Sequence, residues 1–106
     1  MEQSSQMLHH VFFWLKNPNA KEDLDSLIQG LKSLGKIDTP KMIKIGVPAA
    51  TPKREVVDDS YSASLLLVFD SVADHDDYQV DPIHKKFIED CAHLWEKVQI
   101  YDSQDV

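Results

Sequence analysis

Tyr78 and His84 are the residues whose types and spacing could do chemistry. They stand six positions apart, on either side of an Asp81-Pro82 step at which the chain must turn. A phenol and an imidazole held across such a turn can converge on one point. There the imidazole of His84 would act as a general base near neutral pH, and the phenol of Tyr78 would donate to a carbonyl oxygen. Pro82 is well placed to open a helix, which puts His84 in the first turn. The helix dipole disfavours a positive charge there and so favours the basic form.

The other four histidines read differently. His9 and His10 are neighbours in an extended segment, so they point to opposite faces and cannot share a metal. His75 sits in the acidic run ADHDD and reads as a solvated surface group, and His93 falls off the apolar stripe of its helix and reads as exposed. No HxH, HxxxH or carboxylate cluster has ligand spacing, so no metal is expected. With only three glycines there is no phosphate-cradling loop, and no cofactor is expected. Cys91 is the only cysteine, which excludes an internal disulfide and reads as a small buried thiol rather than a nucleophile.

The elements that must position Tyr78 and His84 follow from hydrophobic patterning. Met7–Lys16 reads as a strand that is apolar on both faces, with Met7, Val11, Phe13 and Leu15 on one and Leu8, Phe12 and Trp14 on the other. Ala20–Leu34 carries leucine and isoleucine at helical spacing, with Asn19 as expected N-cap and Gly35 as expected C-terminal stop. Strands are expected over Lys41–Pro48 and Tyr61–Asp70, with a surface loop over Ala49–Asp59 between them. Ser71–Tyr78 reads as a short acidic helix with Ser71 as cap. A further helix starts at Pro82, with Ile83, Phe87, Cys91, Leu94 and Trp95 on its apolar stripe, and Lys97–Asp102 is a last strand. Residues 7–102 are thus expected to form one domain, with a flexible leader over 1–6 and a flexible tail over 103–106.

The order β-α-β-β-α-α-β is α+β and ferredoxin-like: a four-stranded antiparallel sheet with helices on one face. The uncovered face would expose Phe12, Trp14 and alternate residues of Leu65–Phe69, and an apolar face of that size marks an interface. Two sheets packed face to face about a two-fold axis would close a barrel, so a homodimer is expected. His10 shares the face of Phe12 and Trp14 by parity.

Charge and hydropathy exclude other classes. Eighteen acidic against eleven basic residues give a net charge of −7, the wrong sign for nucleic acid or an anionic membrane surface. No run approaches the length of a membrane span, and no signal peptide is visible, so the expected location is the cytoplasm.

The segments HVFFWLK (His10–Lys16), YQVDPIHKKF (Tyr78–Phe87) and LWEKVQIYD (Leu94–Asp102) together resemble the stress-responsive A/B barrel domain (Dabb) family, from roughly Leu8 to Asp102. The resemblance implies a dimeric α+β barrel. It is also distantly similar to plant polyketide cyclases of the olivetolic acid type, which need no cofactor. By that likeness His84 is a general base, Tyr78 orients the substrate, and the first-strand histidine is His10. The cyclase type has a further histidine where Ala63 stands here, and a histidine before its proline where Asp81 stands. The implied function is binding of a small apolar or carbonyl-containing ligand in the barrel cavity, with His10, Phe12, Trp14 and Leu65 lining it. The alternative is a cyclase- or lyase-type enzyme built on His84 and Tyr78. A third reading, haem or quinol monooxygenase chemistry, would use His10 or His84 as an axial ligand.

Overall fold

The computed structural model describes residues 5–106. Four strands and three helices follow in the order β1 (Met7–Leu15), α1 (Lys21–Ser33), β2 (Met42–Gly46), β3 (Ala63–Phe69), α2 (Val72–Val80), α3 (Pro82–Cys91) and β4 (Trp95–Gln104). The sheet has the order β2-β3-β1-β4, and all its pairings are antiparallel. β1 and β3 are its two interior strands, as strands apolar on both sides must be. Its residues alternate strictly between buried (Met7, His9, Val11, Phe13, Leu15) and half-buried (Leu8, His10, Phe12, Trp14). The buried set meets the helices, and the half-buried set forms the outer face of the sheet.

β3 alternates in the same way, with Ala63, Leu65, Leu67 and Phe69 buried and Ser64, Leu66 and Val68 half-buried. Val11 lies opposite Leu65, and Phe12 opposite Ser64. Leu65 therefore belongs to the helix-covered face. This corrects the expectation that Leu65 would share a pocket with Phe12 and Trp14: a one-residue error of parity carries a side chain through the sheet. The outer-face residues of β3 are Ser64, Leu66 and Val68.

The helix ends show where local signals succeeded and failed. The Ser71 hydroxyl accepts from the Asp74 backbone N–H at 3.1 Å, and the Asp81 carboxylate accepts from the Ile83 N–H at 2.8 Å with Pro82 following it. Both are N-caps that satisfy orphan donors. Asn19 does not cap α1; Ala20 occupies that position without a side-chain bond. Gly35 does not adopt a left-handed stop either, because the chain tightens into a 3₁₀ turn over Leu34–Lys36 that drives Leu34 into the core. β4 runs to Gln104, past the expected Asp102, because Ser103 and Gln104 pair with Leu8 and Met7. The leader expected over residues 1–6 falls mostly outside the described residues. Gln6 is within them, and its carbonyl accepts from the Asp105 N–H.

α1 packs on α3 through Gly30, where a Cβ would run into the Cys91 sulfur and sit 3.1 Å from Phe87 Cδ1. Gly30→Ala gains about 1 kcal/mol of helix propensity but overpacks a closed contact, which costs about 1–3 kcal/mol. The expected result in urea denaturation is a net loss of stability, partly restored by adding Cys91→Ala. A Gly30→Ala chain more stable than the parent would contradict the close approach.

Candidate functional site

The Asp-Pro step between α2 and α3 does what its sequence implies. Tyr78 lies in the last turn of α2 and His84 in the first turn of α3, with ring centroids 4.7 Å apart. Tyr78 is held there by burial: it is 1% exposed and packs at 5.3 Å against Phe69. Both residues line a cavity of about 150 Å³ between the helices and the sheet, closed below by His9, Val11, Leu65 and Trp95. The cavity is thus inside the single chain. Leu65 reaches it, whereas His10, Phe12 and Trp14 lie on the opposite side of the sheet.

The electrostatics suit proton transfer. Burial holds the His84 imidazole below its ordinary range, with the Gln79 backbone opposing in part and His9 reinforcing the shift. Its Nδ1 is buried and has no hydrogen-bond partner among the described residues, which leaves it available to a bound molecule. Burial pushes the Tyr78 hydroxyl well above the usual phenol range, so it stays a neutral donor. Cys91 is buried, and its thiol is pushed up by burial and by Asp90, which makes it unreactive.

On the other face, His10 tilts against Phe12 at 4.4 Å, and desolvation lowers its pKa. Tyr61 packs on Phe12 at 4.9 Å, and Trp14 donates from Nε1 to Ser60 Oγ at 3.0 Å. These contacts come from the loop before β3, which lies along one edge of the face.

The sequence matches the family model of the stress responsive A/B barrel domain, Dabb, over residues 7–105. The chain belongs to the Dabb family. Among solved structures, a Dabb protein with a ferredoxin-like fold from Mesorhizobium loti is 20% identical with a TM-score of 0.77, covering 96% of this chain and 98% of that one. The hydroxynitrile lyase of Passiflora edulis is 22% identical with a TM-score of 0.80, covering 98% and 96%. A dimeric protein of unknown function from Bacteroides fragilis is 19% identical with a TM-score of 0.72, covering 99% and 100%. At these identities the likeness carries the fold alone. No curated protein matches the sequence.

Sequence reasoning missed three residues of this Dabb domain. His9 is 3% exposed, and its Nδ1 lies 2.6 Å from Asp102 Oδ1. His75 is not a solvated group: its side chain is 14% exposed, and its ring centroid is 4.8 Å from that of His9. The signal for His75 was available, since it lies one helical turn before buried Tyr78 and so on the same side of α2. The acidic neighbours masked it. For His9 the parity with Val11 and Phe13 was enough to turn it inward. Asp102 gave no local signal, because its place depends on the register of β4 against β1.

Proposed function

We propose that this Dabb domain is a homodimer whose chains each bind a small carbonyl-containing molecule in the cavity under α2 and α3, and move a proton there. His84 is the base and Tyr78 the donor to the carbonyl oxygen. The observation that carries this reading is the unpartnered, buried Nδ1 of His84 at a cavity wall, 4.7 Å ring to ring from Tyr78. The base takes the proton α to the carbonyl, the C–H electrons delocalise into an enolate, and the phenol stabilises the developing oxyanion.

One structural neighbour is described as a hydroxynitrile lyase, and the same base could serve such a cleavage here. A base removes the hydroxyl proton, the carbon–carbon bond breaks as the carbonyl forms, and cyanide leaves. The cavity is ring-sized, below the roughly 300–1,000 Å³ of drug-sized sites, which argues against haem in it. Of the residues expected to line the pocket, Leu65 belongs to this cavity. His10, Phe12 and Trp14 belong to the proposed interface between subunits, whose apolar outer face supports that assignment, as does the description of a neighbour as dimeric.

The test is a titration with acetophenone, a ketone of matching size, followed by NMR of the histidine and tyrosine rings. Saturable shifts at Tyr78 and His84, without shifts at His93, are expected. Shifts confined to His10, Phe12 and Trp14 would move the ligand site to the sheet's outer face and overturn the proposal.

A further inference from the structure

Beside the cavity, three side chains from three elements converge: His9 from β1, His75 from α2 and Asp102 from β4. One ligating atom from each lies within 4.8 Å of the others. We propose that these residues form a binding site for one divalent transition-metal ion of the zinc type. The site goes beyond the proton-transfer reading and shares only His9 with its cavity.

The donor set is the first argument. Two imidazoles and one carboxylate suit zinc and its neighbours rather than magnesium or calcium, which require mostly oxygen. Three ligands at ordinary zinc distances stand roughly 3.3 Å apart, so the widest spacing, 4.8 Å, must close by about 1.5 Å. Side-chain torsions of His75 and Asp102 can supply that, since both lie near the surface at 14% and 43% exposure. His9 is the fixed member, anchored in an interior strand and buried.

The surroundings are the second argument. His9 Nδ1 and Asp102 Oδ1 already face each other at 2.6 Å. The proton between them occupies the place of a cation, and a metal taking Nδ1 would leave the imidazole neutral, its one proton moved to Nε2. His75 Nδ1 lies 3.2 Å from Asp76 Oδ1, which leaves Nε2 as the nitrogen that would ligate. A carboxylate on the distal nitrogen is the usual support of a metal-bound imidazole, fixing its tautomer and orientation. Gln79 Nε2 stands 3.1 Å from His75 Nε2, so a metal at this nitrogen must displace that amide contact. Three protein ligands leave a fourth position for water, the arrangement of zinc sites that remain open.

No sequence signature announces this site. Metal motifs are recognised by short spacings on one element, whereas here 93 residues separate His9 from Asp102. Strand pairing sets one edge, because His9 and Asp102 are direct partners across β1 and β4. Helical periodicity sets the other, turning His75 to the side of Tyr78.

The experiment uses the full untagged chain with Zn²⁺ in calorimetry, and with Co²⁺ to read its visible d–d bands. One Zn²⁺ per chain is expected, with a rise in Tm. His75→Gln and Asp102→Asn should each weaken binding by about tenfold or more and abolish the tetrahedral Co²⁺ spectrum. His84→Gln should leave Zn²⁺ affinity unchanged, so failure here is separable from failure of the proton-transfer reading. Absence of one-to-one binding, parental affinity in either ligand variant, or an octahedral Co²⁺ spectrum would each overturn the proposal.

Discussion

His84→Ala is expected to abolish proton exchange at the methyl group of acetophenone, measured as deuterium uptake in heavy water, with a rate loss of roughly 10²- to 10⁴-fold. The magnitude is that of a positioned general base, and His84 is the one candidate base at the cavity wall whose Nδ1 is left without a partner among the described residues. The pH profile gives the sign. His84 is held below its ordinary value of 6.5, chiefly by burial, so the basic form persists to lower pH than in a free histidine. The acid limb of the rate should therefore have its midpoint below 6.5, with a plateau at neutral pH. His84→Gln keeps the volume and fold but has no basic nitrogen, and it should be equally inactive. A variant of unchanged rate, or an acid limb above 6.5, would remove His84 from the role of base and leave a ligand-binding domain.

Phe12→Asp is expected to convert the proposed homodimer into monomers with the fold intact, as read by sedimentation velocity and far-ultraviolet circular dichroism. Phe12 lies near the middle of the outer face, between His10 and Tyr61, with Tyr101 of the edge strand 6.1 Å away. In a two-fold interface each substitution acts twice. Two carboxylates desolvated against apolar partners cost several kcal/mol, and each 1.4 kcal/mol is about tenfold in the dissociation constant. A weakening of roughly 10²- to 10³-fold follows. The helix side of the sheet is untouched, so Tyr78 and His84 should keep their NMR signatures. A dimer that survives the substitution would place the interface elsewhere, and a parent chain that is monomeric at every concentration would remove it.

Much of the architecture was legible because its determinants are local. Alternation in Met7–Leu15 assigned each side chain of β1 to a face, and β1 became an interior strand beside β3, as its two apolar sides require. Ser71 and Asp81-Pro82 marked both helix starts, since a cap needs only the next two or three residues. Asn19 and Gly35 misled for the same reason: their preferences are worth about 1 kcal/mol, and burying Leu34 through a 3₁₀ turn outweighs that. β4 grew beyond its expected end because its partner strand, not its composition, sets its length.

The candidate site divides along the same line. The sequence by itself placed Tyr78 and His84 on either side of a turn, where they could converge, because a helix end, a proline and a helix start lie within seven residues; the structure brings their rings to 4.7 Å. It also determined that the sheet has two apolar faces. Only the tertiary structure decided which of those faces Tyr78 and His84 look onto, and it is the helix-covered one, with Leu65 and His9 rather than Phe12 and Trp14. Only the tertiary structure joined His9 to Asp102 and His75. The reason is physical: side-chain direction along a strand or helix is fixed by backbone geometry within a few residues. Which distant residue stands opposite depends on strand order and register, and those are set by the packing of the whole core.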